Sequence, residues 1–233
     1  MSVLFVIGQI LSVIFLVLGV VILLLEVGGR RLYFTAPFIR ETDFEWSATN
    51  IAIVGVSAAV LTIAWTLAAP IVIVPGFITL NPGRGLEPVF GLLFGLPGAF
   101  GGVIANPIYD ILTGKLTLGS ISGAITAGMS IYAYYRIVGP DWGLKKRKGY
   151  INFFISVVVA ALVFKAIGIA GWLDAINVMP AETAWYAAFP ALLATHVSSH
   201  IIVGLILVKL LYAFVDRLGL TPEAMEGGTE FEE

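Results

Sequence analysis

The 233-residue sequence predicts an all-α integral membrane protein that crosses the bilayer seven times. Three observations carry this. The chain is 59% hydrophobic and 12% charged, against about 25% charged in a soluble domain, and its mean hydropathy is +0.99. Apolar runs recur near the ~20 residues that a spanning helix needs. Finally, nearly all Lys and Arg fall on one side if one further apolar stretch, broken by a Pro-Gly step, crosses twice.

The first run, Ser2–Leu25, has no Lys or Arg before it and no evident small-residue cleavage site, so it reads as a retained helix and not a signal peptide. Positive charge follows it, at Arg30, Arg31 and Arg40, which places the N-terminus outside. The segment 27–47 mixes both signs and carries Tyr33, Phe34, Phe38 and Trp46, residue types that favour the membrane interface. Next come Ala48–Ala68, Leu118–Tyr135, Ile151–Ala170 and Pro190–Phe214. Residues 217–233 form an acidic, Gly-containing cytoplasmic tail without periodicity, expected to be disordered.

The stretch Leu86–Gly114 decides the topology. It is apolar, yet it holds Glu87, Asn106 and Asp110 and is interrupted at Pro97-Gly98. As one helix, it would leave backbone groups unsatisfied in lipid. As two short helices turning at Leu96-Pro97-Gly98, it puts Arg136, Lys145–Lys148, Lys209 and Arg217 on the side of Arg30 and Arg31. Only Arg84 and Lys115 then lie opposite, and Lys165 lies within a span. The hairpin is therefore expected, with its turn inside and the C-terminus cytoplasmic.

Polar residues gather toward the outer side. Asn106 and Asp110 are four apart and share a helix face. Glu87 opens the preceding arm, where a helix N-terminus favours an anion. Both carboxylates read either as caps and interfacial groups or as rim and pocket residues. The loop Ala69–Gly85 is apolar but irregular, with three prolines and with Asn81 and Arg84 as its polar groups. It reads as a surface loop or as a lid over an outward-facing pocket.

His196, Ser199 and His200 put polar groups on one side of the last span. Two His at this spacing can ligate a metal, but a site needs three or four ligands and the sequence identifies no third. Contact with a ligand and hydrogen bonding between helices are the other readings. Lys165 either snorkels to the interface or serves as a pocket cation. Trp172, Trp185 and Tyr186 are expected in an outer loop, as belt residues or as a platform for a flat ligand.

Small residues at i, i+4 spacing, including Gly55 with Ala59, Gly91 with Gly95 and Gly119 with Gly123, allow close helix packing within the chain or docking of a partner helix. Net charge is −2 and cysteine is absent, which gives no reason to expect a nucleic-acid partner and excludes thiolate chemistry. No nucleotide-binding loop, HExxH or GxSxG motif occurs. Neither an enzyme activity nor a resident cofactor is expected.

The residues IAIVGVSAAVLTIAW (Ile51–Trp65) and GFITLNPGRGLEPVFGLLFGLPGAFGGVIANPIYDILTGKLTLGSISG (Gly76–Gly123) resemble the substrate-binding S-components of energy-coupling factor transporters. In that family an outer loop precedes a glycine-rich "LFGPxxGAxxGxxxDLL"-like helix pair. Here Leu93–Gly98 and the Asn106–Asp110 step occupy that pattern. The likeness runs from Ala48 to Phe214, the last two spans by hydropathy only.

The resemblance implies a six-helix substrate-binding domain, residues 48–216, with a pocket near the outer face under the 69–85 loop. Residues 1–26 form an additional helix outside it. Members bind vitamins, cofactor precursors or metal ions. They dock through a small-residue face onto a coupling membrane subunit that engages two cytoplasmic ATPases. Gly55 and Ala59 match that face, with Gly in place of the usual first Ala. For this chain the resemblance implies a vitamin-like small-molecule substrate. The candidate binding residues are Asn81, Arg84, Glu87, Asn106, Asp110, Lys165, Trp185, His196, Ser199 and His200.

Two other classes compete with capture. A structural or assembly protein would use the polar residues only as caps and bundle contacts. A membrane enzyme would need Asp110 within about 3 Å of His196 or His200, or of a common reacting atom.

Overall fold

A computed structural model of the chain describes residues 3–33, 35–68, 71–74 and 78–225. It is mostly helical. Helix α1 is Val3–Val27, and a short antiparallel pair, β1 (Arg30–Leu32) and β2 (Ile39–Glu41), lies within the expected 27–47 loop. Helix α2 (Ala48–Leu67) starts at Ser47, whose side chain accepts from Asn50 N at 3.2 Å and so satisfies one of the free N–H groups of the first turn. Strands β3 (Ile71–Val74) and β4 (Ile78–Leu80) pair antiparallel within the expected 69–85 loop. The remainder of its apolar part, residues 69–70 and 75–77, lies outside the described residues, as do Phe34 and the tail from 226 to 233.

A 3₁₀ turn, Pro82–Gly85, leads into α3 (Leu86–Leu112), which is followed by α4 (Ser120–Val138) and α5 (Arg147–Ala175). The last long helical stretch, α6, covers residues 181–217, and a short helix, Pro222–Met225, follows in the segment expected to be disordered. Four helical stretches among the described residues are long and apolar enough to cross a membrane: α1, α2, Pro82–Leu112 and α5. The protein is thus a multi-pass helical membrane protein.

The third of these stretches is folded back on itself. Arg84 Nη1 lies 3.3 Å from Asn106 Oδ1, whereas 22 residues of straight helix would separate them by about 33 Å. The break is at Gly95, with φ 55° and ψ −128°, and not at Leu96-Pro97-Gly98 as expected. The reason is local. Only glycine takes this conformation without strain. Pro97 then falls in the first turn of the second arm, where the N–H groups have no helical acceptor and a missing one costs nothing.

Gly95 sits beside Tyr135 and Pro222, so the turn points to the end of the bundle where the chain finishes. The expected cationic end is there too. Arg31 lies over the Tyr135 ring, Lys145 near Glu223, and Lys209 donates to the Leu144 carbonyl at 3.1 Å. Arg84, Asn106 and Asp110 occupy the opposite end. Helix α1 runs between the two ends: Phe5 stacks near Trp185 at one, and Glu26 pairs with Arg31 and Tyr132 at the other.

Replacing Gly95 with alanine is expected to cost about 1–3 kcal/mol. Gly55→Ala, at an exposed helical position with open space around it, is expected to be neutral or stabilising by up to about 1 kcal/mol. Thermal unfolding of the purified variants in one detergent compares them, and equal effects would contradict the assigned turn.

Candidate functional site

The site begins at the turn before α3. Asn81 Nδ2 donates to the Trp65 carbonyl at 2.7 Å, and Asn81 Oδ1 accepts from Gly83 N at 2.9 Å. These bonds pin the 3₁₀ turn to the end of α2. Asn81 is thereby occupied as a brace, behind the cavity described below. The turn presents Arg84, whose guanidinium lies 3.9 Å from the centre of the buried Trp65 ring and 5.1 Å from that of Tyr109. Its Nη1 reaches Asn106 Oδ1 at 3.3 Å and Glu87 Oε1 at 3.5 Å. Asn106 Nδ2 in turn donates to Asp110 Oδ2 at 3.1 Å. A polar chain therefore crosses the hairpin from one arm to the other.

Glu87 is completely buried, where the sequence left open an interfacial cap that reaches water or a rim or pocket residue. Close approach of two backbones takes it inside. Gly85 abuts the Ser199 carbonyl and Val203, and Gly204 abuts Pro88 and the Gly85 carbonyl, leaving no room for a Cβ at either glycine. Lys165 Nζ meets Glu87 Oε1 at 2.9 Å and is itself buried, so this lysine does not snorkel. His196 Nε2 is 3.8 Å from Oε1, and His200 Nε2 is 3.6 Å from Oε2, both beyond hydrogen-bond range.

The other ring nitrogens fix the imidazoles. His196 Nδ1 sits 2.8 Å from the Leu192 carbonyl. A carbonyl only accepts, so Nδ1 donates and a neutral ring keeps Nε2 as an acceptor. His200 Nδ1 lies 2.9 Å from the Tyr134 hydroxyl. Lys165 and His200 both fall in π-helical stretches, Val159–Ile167 and His200–Gly204. Such widened turns are rare and recur at functional sites.

Beside this cluster is a cavity of about 90 Å³. Arg84, Lys115 and Lys165 line it, with Asn106, Asp110 and Ser120 on the hairpin and α4 side. Thr195 and His196 line it from α6, and Ile169, Leu173 and Leu192 give it an apolar wall. Thr195 Oγ1 and His196 Nε2 are buried and have no hydrogen-bond partner among the described residues. Buried polar atoms of this kind are few in folded proteins and ask for an explanation.

The structure thus brings together Arg84, Glu87, Asn106, Asp110, Lys165, His196 and His200. It leaves Ser199 to the side, donating to the Thr195 carbonyl at 2.6 Å. Trp185 is not in an outer loop. It lies on α6, its ring stacks on Phe5 and covers Gly8, and its Nε1 donates to Asp174 Oδ2 at 2.8 Å. Tyr186 shares that helix and Trp172 lies on α5, so neither belongs to a loop.

Residues the sequence reading missed are Trp65, Tyr109, Lys115, Tyr134 and Thr195. One available signal was the sign of the intramembrane charges, since a buried carboxylate and a buried ammonium ordinarily find one another. The histidines face Glu87 and not Asp110. Among the described residues no group of three or more His, Cys, Asp and Glu is arranged to hold a metal ion. Gly55 and Ala59 are exposed on α2, away from the cavity.

Comparison with known protein families, with curated proteins and with solved structures finds no match.

Breaking the Glu87–Lys165 pair leaves one buried charge alone. Lys165→Met is therefore expected to destabilise by about 3–5 kcal/mol, while the double variant Glu87→Gln, Lys165→Met recovers much of the loss. A double-mutant cycle by denaturant unfolding measures this, and strictly additive losses would contradict the pairing.

Proposed function

We propose that the protein is the membrane-embedded substrate-capture subunit of an energy-coupling-factor-type importer, taking up a vitamin-like small molecule. The observation that carries this reading is the cavity. Polar groups from the 3₁₀ turn, α3, α4, α5 and α6 converge on it, and two buried atoms in its wall lack partners among the described residues. Bundle contacts alone do not call for that convergence, because buried polar atoms that serve structure are ordinarily satisfied.

The location also supports capture. The cavity lies at the end away from the cationic loops, the outer side of a prokaryotic cytoplasmic membrane by the positive-inside rule. The N-terminus is then outside and the C-terminus cytoplasmic. The β3–β4 hairpin packs on the α6 stretch that supplies Leu192, Thr195 and His196, so the ligand binds beside the 69–85 segment. The sequence holds no ATP-hydrolysing motif, so energy comes from a coupling membrane subunit and two cytoplasmic ATPases. The exposed Gly55 and Ala59 face of α2 is the docking surface, since it offers close approach to a partner helix.

Two variants separate the two faces of this reading. Thr195→Val is expected to weaken retention of a copurified small molecule by about tenfold, as measured by mass spectrometry after denaturation, while the ATPase complex still copurifies. Gly55→Leu is expected to do the reverse. If the wild-type protein, purified across growth conditions, yields neither a small molecule nor an ATPase complex, the structural role replaces capture.

A further inference from the structure

We infer that the cavity is selective for a small monocarboxylate with a short apolar or aromatic body. The inference rests on the capture reading and narrows its substrate class. Charge comes first. Arg84, Lys115 and Lys165 line the cavity, and Asp110 is the carboxylate in its wall. Glu87 lies behind that wall, buried against Lys165 at 2.9 Å. Among the described residues, three cationic side chains therefore stand against two carboxylates. A monoanion balances that set, where a dianion overcompensates it and an amine adds to the imbalance.

The surplus has an address. Among the described residues Arg84 makes two side-chain polar contacts, at 3.3 and 3.5 Å. Both exceed the roughly 2.7–2.9 Å of a charge-assisted bond. Its plane is held by Trp65 at 3.9 Å, so its donors are oriented without being saturated. Thr195 Oγ1, buried and without a partner among the described residues, supplies a further donor to a carboxylate oxygen. His196 Nε2, an acceptor with no donor opposite it, takes a ligand N–H or O–H.

Size and polarity set the remainder of the molecule. Ile169, Leu173 and Leu192 offer apolar contact on the side away from Asp110 and Asn106. A volume of about 90 Å³ holds on the order of six to nine water-sized groups. That suits a single ring or a short chain carrying a carboxylate, and is too small for a fused-ring or nucleotide-sized ligand.

The test uses the full chain in detergent micelles with benzoate and hexanoate as probes. Benzamide, benzylamine and phenyl phosphate serve as matched neutral, cationic and dianionic competitors. Isothermal titration and thermal unfolding are expected to show that the carboxylates bind about tenfold or more tighter than the amide, with the amine and the phosphate weaker still. Arg84→Gln is expected to abolish the carboxylate preference. Thr195→Val, which removes one hydroxyl, is expected to weaken carboxylate binding about tenfold, and keeps the test open if Arg84→Gln does not fold. A tighter amide, amine or phosphate, or a copurified compound lacking a carboxylate, overturns the substrate class and leaves capture standing. No titrated probe binding and no copurified compound overturns both.

Discussion

The structure depends on one buried carboxylate. Glu87 has no exposed surface, and a charge taken out of water in this way costs on the order of several kcal/mol unless it is answered. Lys165 answers it directly, and the two histidines and Arg84 ring it at 3.5–3.8 Å. The partners come from α5, α6 and the turn before α3. A single charge thereby fixes the relative positions of segments that the hydrophobic effect would not register against one another in lipid.

Backbone features make that arrangement reachable. Without the break at Gly95, Arg84 and Asn106 would stand at opposite faces of the membrane. The fold-back brings them to 3.3 Å. Without small residues at Gly85 and Gly204, the turn carrying Glu87 would be held away from α6 and its histidines. The π-helical stretches that carry Lys165 and His200 work at the same scale, because a widened turn changes which residues of a helix face its neighbour. Local geometry therefore decides which charges meet, and the meeting of charges decides where the cavity is polar.

That hierarchy explains what was legible in the sequence. Four long apolar helical stretches were, because runs of apolar residues report a property averaged over some twenty positions. The fold-back was also legible, because positive charge outside the membrane constrains the number of crossings, and Arg31, Lys145 and Lys209 do gather at one end. Depth was not. Glu87 reads as interfacial from its place at a helix start, and only the close approach of Gly85 and Gly204 to another helix takes it inside. The turn was misplaced by two residues because proline is the louder signal, although glycine bears the strained dihedral. Trp185 reads as a ligand platform only until its neighbour is known to be Gly8, and contacts 177 positions apart leave no trace in local pattern. Of the candidate site, the hairpin and α6 residues could be named in advance, but not the pairing of Glu87 with Lys165.

Helix α1 is best understood through the wall that holds Lys165. Its Ser12 hydroxyl donates to the Gly168 carbonyl at 2.8 Å, one residue past the π-helical stretch of α5, where an irregular turn leaves a backbone acceptor in need of a donor away from water. Gly8 lies under Trp185 and against Gly171, joining α1 to both α5 and α6. At the far end, Glu26 ties α1 to Arg31 and to Tyr132 of α4. A helix with a purely lipid-facing role would need none of these bonds. Its buried residues, Gly8, Ser12, Leu16, Gly19, Leu23 and Glu26, recur at three- and four-residue intervals and make one continuous seam against the bundle. The same seam presses on α5 within one turn of Lys165. Helix α1 therefore belongs to the frame that holds the buried ion pair, even though it contributes no residue to the cavity.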